Sequence, residues 1–484
     1  MILFLQLLLG PLVLRSSLSI AAPTTSAQNA TVESLVYAFP LAPYVSFANS
    51  SSTTNTSDGF VTNTFAHATT LANASFHTII FPNTDTLYST ALLDLSAGDV
   101  VVTMPEREPG RFYVLPFYDL YGNNICSIGT VTNSTAGKYR IRYRPSNAGC
   151  DLTSDESDMY AGAISLPTVY GAILLRIEVF NSSDVEHIVS SIQPRFALTP
   201  LNTPCSGAPP LTSALLNDNL DSTNRPLYLM QLLSRVALYN PAEEPSDAAR
   251  ITATLEAAGT SLASRSYTQP AGVDLAAAYT TALALVQQVS TNPAYLLPLD
   301  SDGVWKTTPP SLAGDFHTHY DVRAFIGLAG YLLLNSTQAI YPAYTPAQEF
   351  FANQTYSVEF FGKPDVEGFW SLTVYDGEGY LIPNALDRSS LGDRANLTYP
   401  DGTLVYGNGD DTDSRSFYML LQSTDVEVAS KWESNWLPTP ADGAKFLFNL
   451  RFYGPTLSLT DGTHKYPKIS AVDPNPPLPL PRSE

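Results

Sequence analysis

The sequence predicts a mainly β protein with a helical insert (α+β): two β-sandwich or jelly-roll-like units linked by helices. Three patterns carry this. Over 369–376, Phe369, Ser371, Thr373 and Tyr375 alternate with Trp370, Leu372 and Val374. That is the period of a strand, and Asp376-Gly377 closes it with a turn signal. Over 100–179, β-rich runs at 100–103, 112–117, 162–166 and 171–179 are separated by turns at fairly regular spacing, as in sandwiches and jelly rolls. Between the two, Leu229, Leu232, Leu233 and Val236 recur at i, i+3, i+4 and i+7, the stripe of an amphipathic helix stopped at Asn240-Pro241.

Taken in order, residues 1–22 read as a signal peptide: an apolar run, then the small residues Ser19 to Ala22, with no basic residue at the start. A single membrane anchor is the alternative, but the run is short for a span. Residues 23–60, rich in Ser, Thr, Asn and Ala, predict a loose glycosylated lead-in with one helix around 31–39. The N-terminal β-rich unit covers 61–182. A helical linking segment covers 183–345. Ser183 to Glu186 forms a cap signal there, and further helices are expected over 246–258, 273–290 and 320–334. The C-terminal β-rich unit, 346–484, holds the alternating strand, a second short strand at 380–382, and a loop with Asn384, Asp387, Arg388, Asp393 and Arg394. Loops behind rigid hairpins often carry sites.

Of the 484 residues, 44% are hydrophobic and 14% charged, which is a globular composition. The formal net charge of −20 argues against nucleic-acid or anionic-lipid partners. No later stretch is long and apolar enough for a membrane span. Asn29, Asn49, Asn55, Asn73, Asn133, Asn181, Asn335, Asn353 and Asn396 each open an Asn-x-Ser/Thr triplet. With the leader, they predict a secreted, extracellular glycoprotein. Three cysteines allow one bridge, and Cys126–Cys150 is favoured because a bridge within one unit is easier to close. Cys205 is then free or intermolecular.

Several ordered blocks resemble a two-part family, the paired domains of unknown function 1254 and 1214. Ile79 to Ser89, with Pro82-Asn83-Thr84-Asp85-Thr86-Leu87-Tyr88-Ser89, and Leu93 to Gly98 resemble the N-terminal half. Tyr118 to Asn124 and Ser127 to Thr130 continue that likeness, and Tyr320, Arg323, Ala324 and Gly327 match the linking block. Phe369 to Asp376, Asn384, Arg388 to Arg394, Asp401 to Leu404, Asn435 to Pro440 and Leu450 to Pro455 resemble the C-terminal half. The resemblance implies the same architecture of two β units and a helical insert. It does not supply a reaction.

Gly-x-Ser-x-Gly, Gly-x-Gly-x-x-Gly, Walker and His-Glu-x-x-His patterns are absent, which argues against a typical α/β-hydrolase or dinucleotide enzyme. In Asp315-Phe316-His317-Thr318-His319-Tyr320-Asp321, alternate spacing would place Asp315, His317, His319 and Asp321 on one side of an extended segment. His317 and His319 are weak metal candidates, competing with helix caps and local hydrogen bonds. No cofactor is predicted, and a divalent metal is the weaker alternative.

The stronger candidates lie in the family-like blocks. Asp85, Tyr88 and Arg388 have residue types suited to acid–base and oxyanion roles. Asn83, Tyr375, Asp376, Asn384, Asp393, Asn435 and Trp436 could hold a substrate. Bracing of β-loops by Asp–Arg and Asn–backbone contacts would demand the same residue types. The expected geometry is a shared cleft in which Asp85 and Tyr88 approach Asn384 and Arg388. Two readings follow. One is an enzyme, a cofactor-independent hydrolase, lyase or isomerase acting on a small organic substrate. The other is a non-catalytic binder of a hydrophobic or sugar-like ligand. Oligomeric state is open.

Overall fold

The computed structural model describes residues 26–51, 60–75, 81–153, 159–201, 207–345, 349–407 and 414–478. The leader, Asn55 and Cys205 lie outside these residues.

Within the lead-in, residues 26–51 are not loose. Residues 26–51 form helices α1 (Ser26–Ala38) and α2 (Leu41–Ser51). Val32, Leu35, Val36 and Phe39 repeat at i, i+3, i+4 and i+7, and so do Leu41, Tyr44, Val45 and Ala48. Both stripes are buried, with Leu35 and Tyr44 at 0% exposure. Pro40 separates the helices, since the residue before a proline is driven out of helical geometry. Small polar residues on the outer faces had concealed an amphipathic pair.

The first unit has two sheets. One carries β1 (Ala66–His67), β2 (Thr86–Asp94), β4 (Tyr113–Asp119), β5 (Asn124–Gly129) and β9 (Tyr170–Glu178), in the order β1-β2-β9-β4-β5. The other carries β3 (Val100–Met104), β6 (Gly137–Tyr143), β7 (Gly149–Asp151), β8 (Gly162–Leu166) and β10 (Ala197–Pro200), ordered β10-β3-β6-β8-β7. Leu87, Leu115, Ile173 and Ile177 of the first sheet share a core with Val100, Val102, Ile141 and Ile164 of the second. Cys126 on β5 and Cys150 on β7 form a disulfide between the sheets, with Cα atoms 5.4 Å apart.

The insert contributes α3 (Arg225–Val236), α4 (Ala248–Ala257), α5 (Leu275–Gln288) and α6 (Tyr320–Ala329). Asn224 caps α3 and Asp274 caps α5 through their side-chain oxygens. The α turn at Asp184–His187 runs on into a π turn over Ile188–Ile192, and Ser183, whose own backbone is already helical, makes no capping bond.

In the second unit, β12 (Trp370–Asp376), β13 (Ser390–Gly392) and β16 (Lys445–Tyr453) form one sheet, joined at the far edge of β16 by Ala339–Ile340. The facing sheet contains β11 (Thr355–Phe361), β14 (Ser416–Ser423), β15 (Trp436–Thr439) and β17 (Lys468–Val472). Trp370, Leu372, Val374, Phe448 and Leu450 meet Val358, Phe360, Phe417 and Met419 in the sandwich core. The strand expected at 380–382 reduces to one bridge, Tyr375 to Leu381. The bond from the Asp376 amide to the Tyr380 carbonyl closes the turn, and the chain then leaves the sheet.

Candidate functional site

Strand alternation leaves β12 and β16 with a second face. Ser371, Thr373 and Tyr375 on β12 lie beside Arg451, Asn449 and Leu447 on β16 in register. All six are buried, although they point away from their own unit's core. What buries them is the first unit. The Tyr375 hydroxyl donates to the Pro82 carbonyl at 2.9 Å, and Ser371 donates to the Asp85 carboxylate at 2.6 Å. Asn83 donates to the Tyr453 hydroxyl at 2.5 Å. Beside them, Phe112 of the first unit packs edge-on against Phe369 and Tyr453.

The first unit meets this face with charged residues. Tyr88 on β2 pairs with Arg176 on β9, and Thr86 pairs with Glu178. Arg176 is 5% exposed and donates to the Leu332 carbonyl at 3.1 Å, but its Nη1 has no partner. Thr86 Oγ1 and Asn449 Oδ1 are likewise buried and unpartnered. Burial works against the Arg176 cation, and the Tyr118, Tyr341, Tyr88 and Tyr453 hydroxyls around it favour the charged form. Burial also opposes the charge of Arg451, while the Tyr375 and Tyr453 hydroxyls and the Asp85 carboxylate favour it. Arg451 donates to Thr373 at 2.8 Å and to the Tyr375 hydroxyl at 2.6 Å. Burial pushes the Tyr375 and Tyr453 phenols up, so both stay neutral hydrogen-bonding groups.

Next to this lies a carboxylate cluster around Arg394. Its Nη2 meets Asp85 Oδ1 at 2.5 Å, and its Nη1 donates to the Asp85 and Val179 carbonyls. Glu178 and Asp393 stand 3.8 and 3.6 Å from its Nε. Burial, opposed by Arg394 and reinforced by Glu178, pushes the Asp393 carboxyl up to about 7. Its side chain retains 19% exposure. A carboxyl poised near neutrality with an open edge can both give and take a proton.

The predicted residues therefore divide. Asn83, Asp85, Tyr88, Tyr375 and Asp393 sit at the junction of the units. The expected partners of Asp85, Asn384 and Arg388, do not meet it. Arg388 donates to the Glu433 and Trp436 carbonyls at 2.6 and 2.9 Å within its own unit. Asn384 closes its loop onto the Ile382 and Arg388 backbone. Asp376 binds the Glu378 and Tyr380 amides, Asn435 the Thr398 and Tyr418 carbonyls, and Trp436 the Gln422 carbonyl. These five brace loops and strand ends. Arg176, Arg394, Arg451, Tyr453 and Glu178 were missed as site residues. The signal for Arg451 was present, because the alternation from Phe446 to Tyr453 turns a charge away from the core.

His317 and His319 also part company. Residue 317 has φ of 51°, and α6 begins at Tyr320, so alternation fails. His319 packs edge-on to Tyr295, with ring centroids 6.2 Å apart. His317 turns to Glu243, Glu244 and Asp315. Among the described residues, no helix is long and apolar enough to cross a membrane.

Residues 62–200 match the profile of the protein of unknown function DUF1254, and residues 339–457 match that of DUF1214. The junction thus lies between the two matched regions. The crystal structure of the VPA0106 protein from Vibrio parahaemolyticus is similar over 93% of this chain and 100% of its own, with a TM-score of 0.60 and 16% identity. An uncharacterized protein from Burkholderia cenocepacia aligns over 92% of this chain and 94% of its own, with a TM-score of 0.41 and 8% identity. No curated protein matches.

Proposed function

The chain belongs to the family that pairs DUF1254 with DUF1214, and from that premise we propose an enzyme acting by acid–base chemistry on a small organic substrate bearing a carboxylate or carbonyl oxygen. The observation that carries this is the buried, unpartnered Nη1 of Arg176 in an interface where charged and hydrogen-bonding side chains lie between apolar contacts. An unsatisfied buried donor on a cation is costly to a fold and suits an oxygen ligand. In this reading Arg176 and Arg451 orient the oxygen, the neutral tyrosines donate to it, and Asp393 moves the proton. The outcome is hydrolysis or rearrangement without an organic cofactor. The aromatic lining also supports a binder, so the test must separate the two.

The experiment is a panel of small carboxylic acids and carbonyl compounds, read by thermal shift and by NMR of substrate consumption. Turnover that Asp393→Asn abolishes, while the thermal shift persists, supports the enzyme. Stabilisation without conversion supports the binder. No stabilisation by any compound, or equal stabilisation of Arg176→Met, removes the site.

Secretion and glycosylation remain part of the same proposal. Asn29, Asn49, Asn73, Asn133, Asn181, Asn353 and Asn396 are exposed, as a glycan acceptor must be, whereas Asn335 is half-buried. The disulfide suits an oxidising compartment.

A further inference from the structure

We propose that Glu243, Glu244 and His317, with Asp315 beside them, form a binding site for a first-row divalent metal ion such as Mn²⁺ or Zn²⁺. Glu243 and Glu244 lie between α3 and α4, and Asp315 and His317 lie in the turn before α6. One oxygen from each glutamate and a ring nitrogen of His317 all fall within 4.8 Å of one another. His317 Nδ1 stands 3.0 Å from Glu244 Oε1, 3.7 Å from Asp315 Oδ1 and 4.0 Å from Glu243 Oε1. An ion with bonds of about 2.1 Å holds its ligands roughly 3.0 Å apart in an octahedron and roughly 3.4 Å apart in a tetrahedron. The observed separations bracket those values.

A plain ion pair accounts for His317 with Glu244, but not for Glu243. The Glu243 side chain is only 9% exposed, and its Oε2 is buried without a hydrogen-bond partner. A buried carboxyl oxygen without a donor calls for a cation or a proton, and the Asp315 carboxyl beside Glu243 is placed to share either. The ligand chemistry then narrows the ion. Two carboxylates with one imidazole suit manganese, iron or zinc better than the all-oxygen preference of calcium or the water-rich shell of magnesium. His317 is 47% exposed, so the cluster opens to solvent and leaves room for water on the ion. The competing arrangement is a proton held among the carboxyls.

The test uses tag-free full-length protein, stripped with chelator and dialysed separately against Mn²⁺ and Zn²⁺. Elemental analysis should return about one ion per chain with either metal, and the Mn²⁺ form should show nitrogen coupling in its pulsed EPR spectrum from one imidazole. Glu243→Gln combined with His317→Ala should lose more than the ~10–100-fold in affinity that an outer-shell change costs, and the nitrogen coupling with it. His319→Ala should retain both. The far-UV spectrum of each variant reports folding independently. Substoichiometric metal in the wild type, or affinity unchanged in the double variant, leaves a proton in the cluster and overturns the proposal.

Discussion

At the scale of single residues, two arginines six positions apart have different duties. Arg394 is the counter-ion of Asp85, which is 3% exposed, and it also reaches two carbonyls of the first unit. Arg388 is bound to carbonyls of its own unit. Removing one partner of a buried pair strands the other charge, at about 3–5 kcal/mol. Arg394→Ala should therefore lower the denaturation midpoint by that equivalent, and Arg388→Ala by about 1–2 kcal/mol, the loss of its hydrogen bonds. Equal effects would contradict the assignment.

Asp393 adds a pH signature. Its folded value is pushed up to about 7 from the ordinary 3.8 of an aspartate, so the folded chain binds the extra proton between those limits. Its stabilising contribution is fully present below about pH 4 and is lost as the pH rises to about 7. Denaturant titrations at several pH values should show this downward slope, and Asp393→Asn should flatten it. Residue type alone could nominate Asp85 and Asp393 in the sequence. It could not say which arginine Asp85 meets, because pairing partners 309 positions apart are set by the packing of whole units.

At the scale of elements, the β ladders and the α3 stripe were legible because one face of each is apolar and the period is clean. The α1–α2 pair was half legible: composition suggested a loose segment, whereas spacing carries two apolar stripes. Leu35 discriminates between the two readings. In a loose segment Leu35→Ala would change stability by less than about 0.5 kcal/mol. Fully buried against the core, as it is here, the same change should cost about 2–5 kcal/mol. Chemical denaturation with an unchanged m-value would show that the loss belongs to the packed helix and not to the unfolded state.

At the scale of the whole molecule, the two β units are joined by buried hydrogen bonds and ion pairs as well as by apolar contacts such as Phe112 on Phe369 and Phe81 on Tyr375. The polar ties cross between distant parts of the chain: Asn83 to Tyr453, Asp85 to Ser371 and Arg394, and Tyr375 to Pro82. Each tie satisfies a buried polar group, so separating the units would leave charges and hydroxyls unpaired in both. That couples their stabilities. The units also approach closely at Gly368, just before β12. A Cβ there would come within 2.6 Å of the Phe112 ring and 2.7 Å of the Tyr453 carbonyl. Alanine at 368 must push Phe112, and with it the first unit, away from the second. The wild-type chain should unfold in one calorimetric transition whose measured and van't Hoff enthalpies agree. Gly368→Ala should lower that transition by the ~1–3 kcal/mol typical of overpacking and broaden or split it as the units uncouple. A wild-type thermogram with two resolved peaks would mean that the polar ties do not bind the units into one cooperative body.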